Sequence, residues 1–324
     1  MLRSALEITP RNMRQHSYAV PARRPGRLTA RWNRLFERWS QGIVRRGIED
    51  YSFGDTPVSR TVAAWRFPNG IEVSDQRIWL DGLPEPFRGF RIVHLSDLHH
   101  GLFVPLRDLI NAVALANELE PDLVALTGDF VTYSRAYIEP AATILGRLRA
   151  RHGVFAVLGN HDFRVGADEL TRALRRGRIE VLRNRHSILR RGGRAIYLAG
   201  VDDLRYGADL SRALHRVPHG APVVLLSHNP GIIRRAARWG VGLVLSGHTH
   251  GGQVNLPLVG SIYGRSPEKL RYKVGWDRLG PTQIYVSRGI GTIILPLRLR
   301  CPAEIPHIHL HPHAADKAAA RVAD

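Results

Sequence analysis

Residues 241–253 read VGLVLSGHTHGGQ, a Val/Leu run with the look of a buried strand, closed by two histidines around Thr249 and then by two glycines. An extended chain sends residues i and i+2 to one side, so His248 and His250 are expected to aim at a common point. Gly251 and Gly252 would let the backbone crowd that point. Two imidazoles on one point suggest a metal. Ordinary turn chemistry explains them equally well unless other strands end the same way.

Working outward, four more do. RIVHLSDLHHG (91–101) ends in Asp97 and His99, DLVALTGDF (122–130) in Asp129, GVFAVLGNHD (153–162) in Asn160, His161 and Asp162, and APVVLLSHNP (221–230) in His228. Five apolar strands thus deliver Asp, His and Asn at their carboxyl ends, the edge where open α/β sheets place their sites. The ligand chemistry points to two metals. Asp97, His99, Asp129 and His250 would form one cluster, and Asp129, Asn160, His228 and His248 the other, with Asp129 bridging. A bridging carboxylate holds two cations about 3.5 to 4 Å apart, a spacing suited to in-line displacement at phosphorus. Mixed imidazole and oxygen donors without thiolate suit Mn²⁺, Fe²⁺ or Zn²⁺ better than Ca²⁺ or Mg²⁺.

The motifs DLH, GD, GNHD, SH and GHTHGG, in that order over roughly residues 88 to 311, resemble the calcineurin-like metallophosphoesterase superfamily. GHTHGGQVNLP followed by YVSRGIGTIILPLRLRCPAEI is similar to the bacterial phosphodiesterase branch of the YaeI and YkuE type. The resemblance implies a four-layer α/β/β/α sandwich, where strand patterning alone gives only α/β. It also implies phosphodiester or pyrophosphate hydrolysis by a hydroxide held between two metals. His161 is then the expected donor of a proton to the leaving oxygen, with Asp162 orienting its ring. GDFVTYSRAY lacks the Asp and Arg that the protein phosphatase branch carries after its GD, which argues against protein phosphatase activity.

The insert NLPLVGSIYGRSPEKLRYKVG (255–275) follows the last motif and should hang over the cleft. Gln253, Arg265 and Lys269 are candidate substrate contacts, joined by Arg271, Lys273, Tyr263 and Tyr272; a solvated basic loop is the competing reading. HIHLHPH (307–313) reads as an edge strand with one polar face, or else as an adventitious metal binder. His94 and His100 read as packing or surface histidines.

Composition sets the bounds. The chain has 324 residues, 44% of them hydrophobic, enough for a full core. Its one cysteine, Cys301, excludes an internal disulfide and a thiolate zinc site. No apolar run approaches the roughly 20 residues a bilayer crossing needs, and the N-terminus has no apolar signal segment, so a cytoplasmic protein is expected. The net charge is +19, and three of the 47 basic residues are lysine, so arginine carries an attraction to phosphate-rich partners.

Residues 1–27 lack periodicity and read as a disordered basic N-terminus, and 314–324 as a disordered tail. Between 28 and 60, Leu28, Trp32, Leu35, Phe36, Trp39 and Ile43 fall at helical spacing with arginines off the stripe, a basic amphipathic helix and linker. The helix over 28–46 suits an anionic membrane surface, or docking on its own domain or a second subunit. The metallophosphoesterase domain then covers 61–313.

Three functions follow. The first is a dinuclear metal-dependent hydrolase on the cytoplasmic membrane face, cleaving a lipid-linked substrate such as UDP-2,3-diacylglucosamine, which relatives of the branch use in lipid A synthesis. The alternative is a soluble phosphodiesterase acting on nucleotides or nucleic-acid ends, and the remote one a non-catalytic metal-binding scaffold.

Overall fold

A computed structural model of the chain describes residues 70–256, 260–261 and 272–313. The expected basic helix, both tails, the linker to residue 60 and the insert residues Tyr263, Arg265, Lys269 and Arg271 lie outside the described residues.

The sequence alternates short apolar strands with helices, and the folded order follows that alternation. Strand β1 (Ile71–Leu80) is followed by β2 (Phe90–Leu95), helix α1 (Leu106–Glu118), β3 (Leu123–Leu126), α2 (Ile138–Leu145), β4 (Val154–Ala156), α3 (Asn160–Arg176) and β5 (Ile179–Val181). Then come β6 (Arg185–Arg191), β7 (Arg194–Gly200), α4 (Leu210–Ala213), β8 (Val223–Leu226), α5 (Ile233–Arg238) and β9 (Leu243–Ser246). The chain ends with β10 (Asn255–Leu256), β11 (Gly260–Ser261), β12 (Gly275–Leu279), β13 (Thr282–Val286) and β14 (Ala303–Pro312). Helix α2 is short, eight residues. Gly146 ends it, lying closely against Gly177 at the end of α3, where a side chain on either would crowd the other's backbone.

Two six-stranded sheets result, ordered β1-β14-β2-β3-β4-β5 and β12-β13-β9-β8-β7-β6, with β10 and β11 as a separate ribbon. β2 to β5 run parallel, as do β7, β8, β9 and β13. Strands buried on both faces need no alternation, which is why β3 (LVAL), β8 (VVLL) and β9 (LVLS) read as near-continuous apolar runs.

The core has three layers. Leu109 and Ala112 of α1, Leu145 of α2 and Leu170 and Leu174 of α3 cover Val93, Leu95, Val124 and Leu126 on the outer face of the first sheet. Between the sheets, Phe90, Ile92, Leu123 and Phe155 meet Leu198, Leu226, Leu243, Leu245 and Tyr285. Ala213, Ile233 and Ala236 of α4 and α5 cover Leu225, Val244 and Ile284 behind the second sheet. This is the four-layer α/β/β/α sandwich. One expectation fails: β14 is not an edge strand. It pairs parallel with β1 and antiparallel with β2, so Ile308 and Leu310 enter the layer between the sheets while its histidines face out. Among the described residues no helix is long and apolar enough to cross a membrane.

Candidate metal centre

All five motif loops emerge at the carboxyl ends of parallel strands, three from the first sheet (β2, β3, β4) and two from the second (β8, β9). The strands stop sooner than the sequence suggests. β2 ends at Leu95, β3 at Leu126 and β9 at Ser246, so the ligand candidates stand in the loops beyond. Asp97, His99, Asp129, His248 and His250 all adopt positive φ, between 51° and 72°. Side chains are therefore aimed by left-handed turns and not by the i, i+2 alternation of an extended strand. Non-glycine residues visit this region at a cost, and a cluster of them marks a functional site.

The turns bring the candidates together. Ligand atoms of Asp97, His99 and His250 lie within 4.8 Å of one another, as do those of His99, Asp129 and His161, and those of Asp129, His228 and His248. Asp129 Oδ2 stands between the groups, 3.6 Å from His99 Nε2 and 3.2 Å from His228 Nε2. His250 Nε2 is 3.3 Å from Asp97 Oδ1. Two imidazole pairs approach nitrogen to nitrogen at 3.0 Å, His99 with His250 and His248 with His228. Asn160 opens α3 beside them. Its side-chain oxygen faces His248 Nδ1, acceptor toward acceptor, an arrangement in which both could meet one cation; the reversed amide would instead donate to that nitrogen at 2.9 Å.

The surroundings fix which nitrogens face inward. His228 Nδ1 meets the Thr127 carbonyl at 2.8 Å, and His99 Nδ1 the Thr132 hydroxyl at 2.6 Å, leaving each Nε2 for the centre. That is how proteins orient imidazole ligands. Burial pushes His99 down to about 4 and His250 well below the usual range, which keeps both in the neutral form a cation needs. Burial works against ionised Asp129, yet the facing imidazoles of His228 and His161 hold its carboxyl well below its ordinary value. Burial would likewise lower His228, but the Asp129 and Asp97 charges outweigh it and push His228 up to about 10. A cation at this point would displace the His228 proton. Burial raises Asp97 to about 6, another carboxylate awaiting a positive partner. Among the described residues His250 Nδ1 has no hydrogen-bond partner. Donor types, spacing and neutral imidazoles all fit divalent cations.

Family models now decide the matter. Residues 90–252 match the model described as calcineurin-like phosphoesterase. The chain belongs to this family. As a calcineurin-like phosphoesterase it is a metal-dependent phosphoric ester hydrolase. Among its relatives is the uncharacterized metallophosphoesterase YkuE of Bacillus subtilis, 36% identical over 74% of this chain and 85% of that protein. The phosphodiesterase YaeI of Escherichia coli is 35% identical over 68% of this chain and 82% of its own length. A zebrafish (Danio rerio) transmembrane protein with a metallophosphoesterase domain is 35% identical, and the chain spans 57% of it.

Other expectations for this phosphoesterase resolve differently. Asp162 does not orient His161. Its carboxylate accepts from the backbone amides of Gly159 (2.8 Å), Asp129 (2.7 Å), Phe130 (2.8 Å) and Val131 (3.3 Å), clamping the Asp129 loop onto the start of α3. Burial and the Asp129 charge push this carboxyl up to about 8, the amides opposing them. The His161 ring packs edge-on against His99 at 4.9 Å, and its backbone amide donates to Asp129 Oδ1 at 2.8 Å. Gln253, expected at the substrate, is fully buried. Its amide donates to the Ile293 and Leu295 carbonyls and accepts from the Ile293 amide, so it holds the loop before β14. Tyr272 is buried too. Lys273 Nζ donates to Asn255 Oδ1 at 3.0 Å.

Sequence reasoning missed Arg298. It is 1% exposed and donates to the carbonyls of Arg288, Gly289, Gly291 and Cys301. It thereby shapes the loop after β13, where the amides of Ile290 and Gly291 bind the Ser96 and Asp97 carbonyls. Nothing in LPLRLRCP marks it. The motif glycines are legible in hindsight: a Cβ on Gly159 would strike Asp129 Oδ1, and one on Gly247 would strike Ser96 Oγ and Asp97 Oδ2.

Proposed function

We propose that this calcineurin-like phosphoesterase hydrolyses phosphodiester or pyrophosphate bonds with two divalent cations, one held by Asp97, His99, Asp129 and His250, the other by Asp129, Asn160, His228 and His248. The observation that carries this reading is the placement of Asp129 Oδ2 between the two imidazole groups. Bound there, a cation pair activates water at neutral pH and offsets charge growing on the phosphoryl oxygens. The protein supplies the rest. Thr127 and Thr132 hold the imidazoles in the liganding tautomer, Asp162 holds the Asp129 loop, and His161 stands against the centre as donor of a proton to the leaving oxygen. Such a donor contributes roughly 10² to 10⁴-fold in rate.

The substrate we propose is lipid-linked, with UDP-2,3-diacylglucosamine the first to try, worked on at an anionic membrane face. This part is supported by the Arg-rich Trp/Phe stripe over residues 28–46. Hydrolysis of bis-p-nitrophenyl phosphate by metal-stripped protein, with Mn²⁺, Zn²⁺, Fe²⁺ or Mg²⁺ returned in turn, tests the chemistry. Restored turnover that falls about a hundredfold in His161→Ala is expected; turnover unaffected by that variant would remove His161 from the reaction. Vesicle sedimentation with and without residues 28–46 tests the membrane part, which equal pelleting would sink.

A further inference from the structure

Helix α3 starts at the centre with Asn160 and His161, and Phe163 and Arg164 stand three and four residues beyond Asn160. That spacing sets both on the side of the helix that carries Asn160 inward. Arg164 is exposed, its Nε 3.4 Å from the Asn160 carbonyl. The Phe163 ring lies flat against Tyr206, centroids 4.6 Å apart and planes within 6°. Against Phe163 lies the Arg183 guanidinium, 5.1 Å from the ring centroid. Arg183 is itself fixed: Asp202 accepts from its Nε (3.0 Å) and Nη2 (3.1 Å), and Asp168 from its Nη1 (2.8 Å).

The loop that carries Tyr206 is held as firmly. Asn184 donates to the Gly207 carbonyl at 2.9 Å and accepts from the amides of Asp202 and Asp209, both at 3.0 Å. The Tyr206 amide closes a turn on the Asp203 carbonyl at 2.8 Å. Asp203, at the base of this loop, is fully buried. Tyr206 nevertheless remains 39% exposed. An exposed ring buttressed on Phe163, itself one helical turn beyond Asn160, is thus carried beside the start of α3.

We propose that Tyr206, stacked on Phe163, is the platform for the base of a nucleoside phosphate substrate, with Arg164 meeting a phosphate of the same nucleotide. The proposal rests on the phosphohydrolase reading above and names its substrate class: esters or anhydrides of nucleoside phosphates. Base stacking on an aromatic ring contributes about 1–3 kcal/mol and tolerates any base. A ring already held in place spares the ligand the ordering cost that usually erodes such a gain. The guanidinium of Arg164 suits a phosphate by its planar pair of donors.

The test is calorimetric titration of the full-length, Mn²⁺-loaded protein with 5′-UMP, ribose 5-phosphate, glucose 1-phosphate and inorganic phosphate. Wild type and Tyr206→Phe should bind UMP at least tenfold more tightly than ribose 5-phosphate. Tyr206→Leu, whose thermal melting checks that it folds, should erase that margin. UMP and ribose 5-phosphate binding alike in wild type, or a margin that survives Tyr206→Leu, would overturn the platform while phosphate binding and bis-p-nitrophenyl phosphate hydrolysis stand. A gain for glucose 1-phosphate equal to that for UMP would make the platform a sugar surface and overturn the base assignment. If no phosphate binds and no diester is cleaved, the hydrolase reading itself has failed and the platform falls with it.

Discussion

Two of the Asp/His groups among the described residues bring their ligand atoms equally close, and they differ in everything else. Asp97, His99 and His250 are buried, and all three are at positive φ. Asp75, His307 and His309 sit on the outer face of β1 and β14, where Asp75 Oδ1 lies 2.9 Å from His307 Nδ1 and 3.5 Å from His309 Nε2. There the backbone is ordinary extended strand, and the Asp75 side chain is 74% exposed. Nearness of ligand atoms is therefore cheap: a paired strand with histidines at i and i+2 yields it for nothing. What marks the first group is the effort around it, in backbone held at unfavourable angles, neutral buried imidazoles, and the Thr132 hydroxyl behind the His99 ring. Water screens the second group, so its ion pairs add little.

The contrast can be broken by experiment. Asp129→Asn should have the largest effect, leaving the centre with too little charge to hold its cations and taking activity to background; metal analysis showing full occupancy would end the bridging assignment. Gly159→Ala comes next, because the new Cβ meets Asp129 Oδ1. Loss of both metal and several degrees of thermal stability is expected, and an unchanged melting curve would refute the close-approach explanation.

A third kind of histidine sharpens the comparison. His94 is buried between the sheets, Nε2 on the Thr127 hydroxyl at 2.8 Å, and burial pushes it down to about 4. An unfolded histidine titrates near 6.5, so between these values the unfolded chain binds more protons and stability falls as pH drops from about 6.5 to about 4. The loss attributable to this residue is at most about 3 kcal/mol. Chemical denaturation across that window should show a shallower slope for His94→Gln; equal slopes would assign the pH dependence elsewhere. Thr132→Val, which frees the His99 tautomer, should weaken metal affinity about 10 to 100-fold. The smallest effect is expected on the outer face, where changing both His307 and His309 to Ala should leave metal content unaltered, and a lost equivalent would erase the distinction drawn above.

The sequence shows the site more readily than the way it is built. Five Val/Leu runs ending in Asp, His or Asn announce both the parallel strands and the residues that meet, since buried strands tolerate little else and the carboxyl edge is where their side chains converge. Left-handed turns at Asp97, His99, Asp129, His248 and His250 leave no such trace, because a non-glycine residue at positive φ looks like any other in a sequence; only the flanking glycines hint at crowding. Asp162 misled for a related reason. Adjacency to His161 suggests a pair, whereas at the third position of α3 the carboxylate reaches back to the Gly159 amide and across to the bare amides of the Asp129 loop. Arg298 and Gln253 were hidden because polar residues normally read as surface, and a guanidinium or amide spent on backbone groups is decided by tertiary contacts. The position of β14 was illegible too, since strand order depends on pairing across nearly the whole domain.

That pairing bears on how the protein is made. Among the described residues β1 bonds only to β14, in register from Ile71↔Ala303 onward, and partners such as Asp75 and His307 are 232 residues apart. A ribosome delivering the chain from its N-terminus releases β1 long before its neighbour exists. β3, β4 and β5, whose partners are local, have everything they need early, while β2 waits with one edge bare. Closing such a long loop is slow, and the waiting edge is the natural point for a nascent chain to be guarded by a chaperone or lost to aggregation.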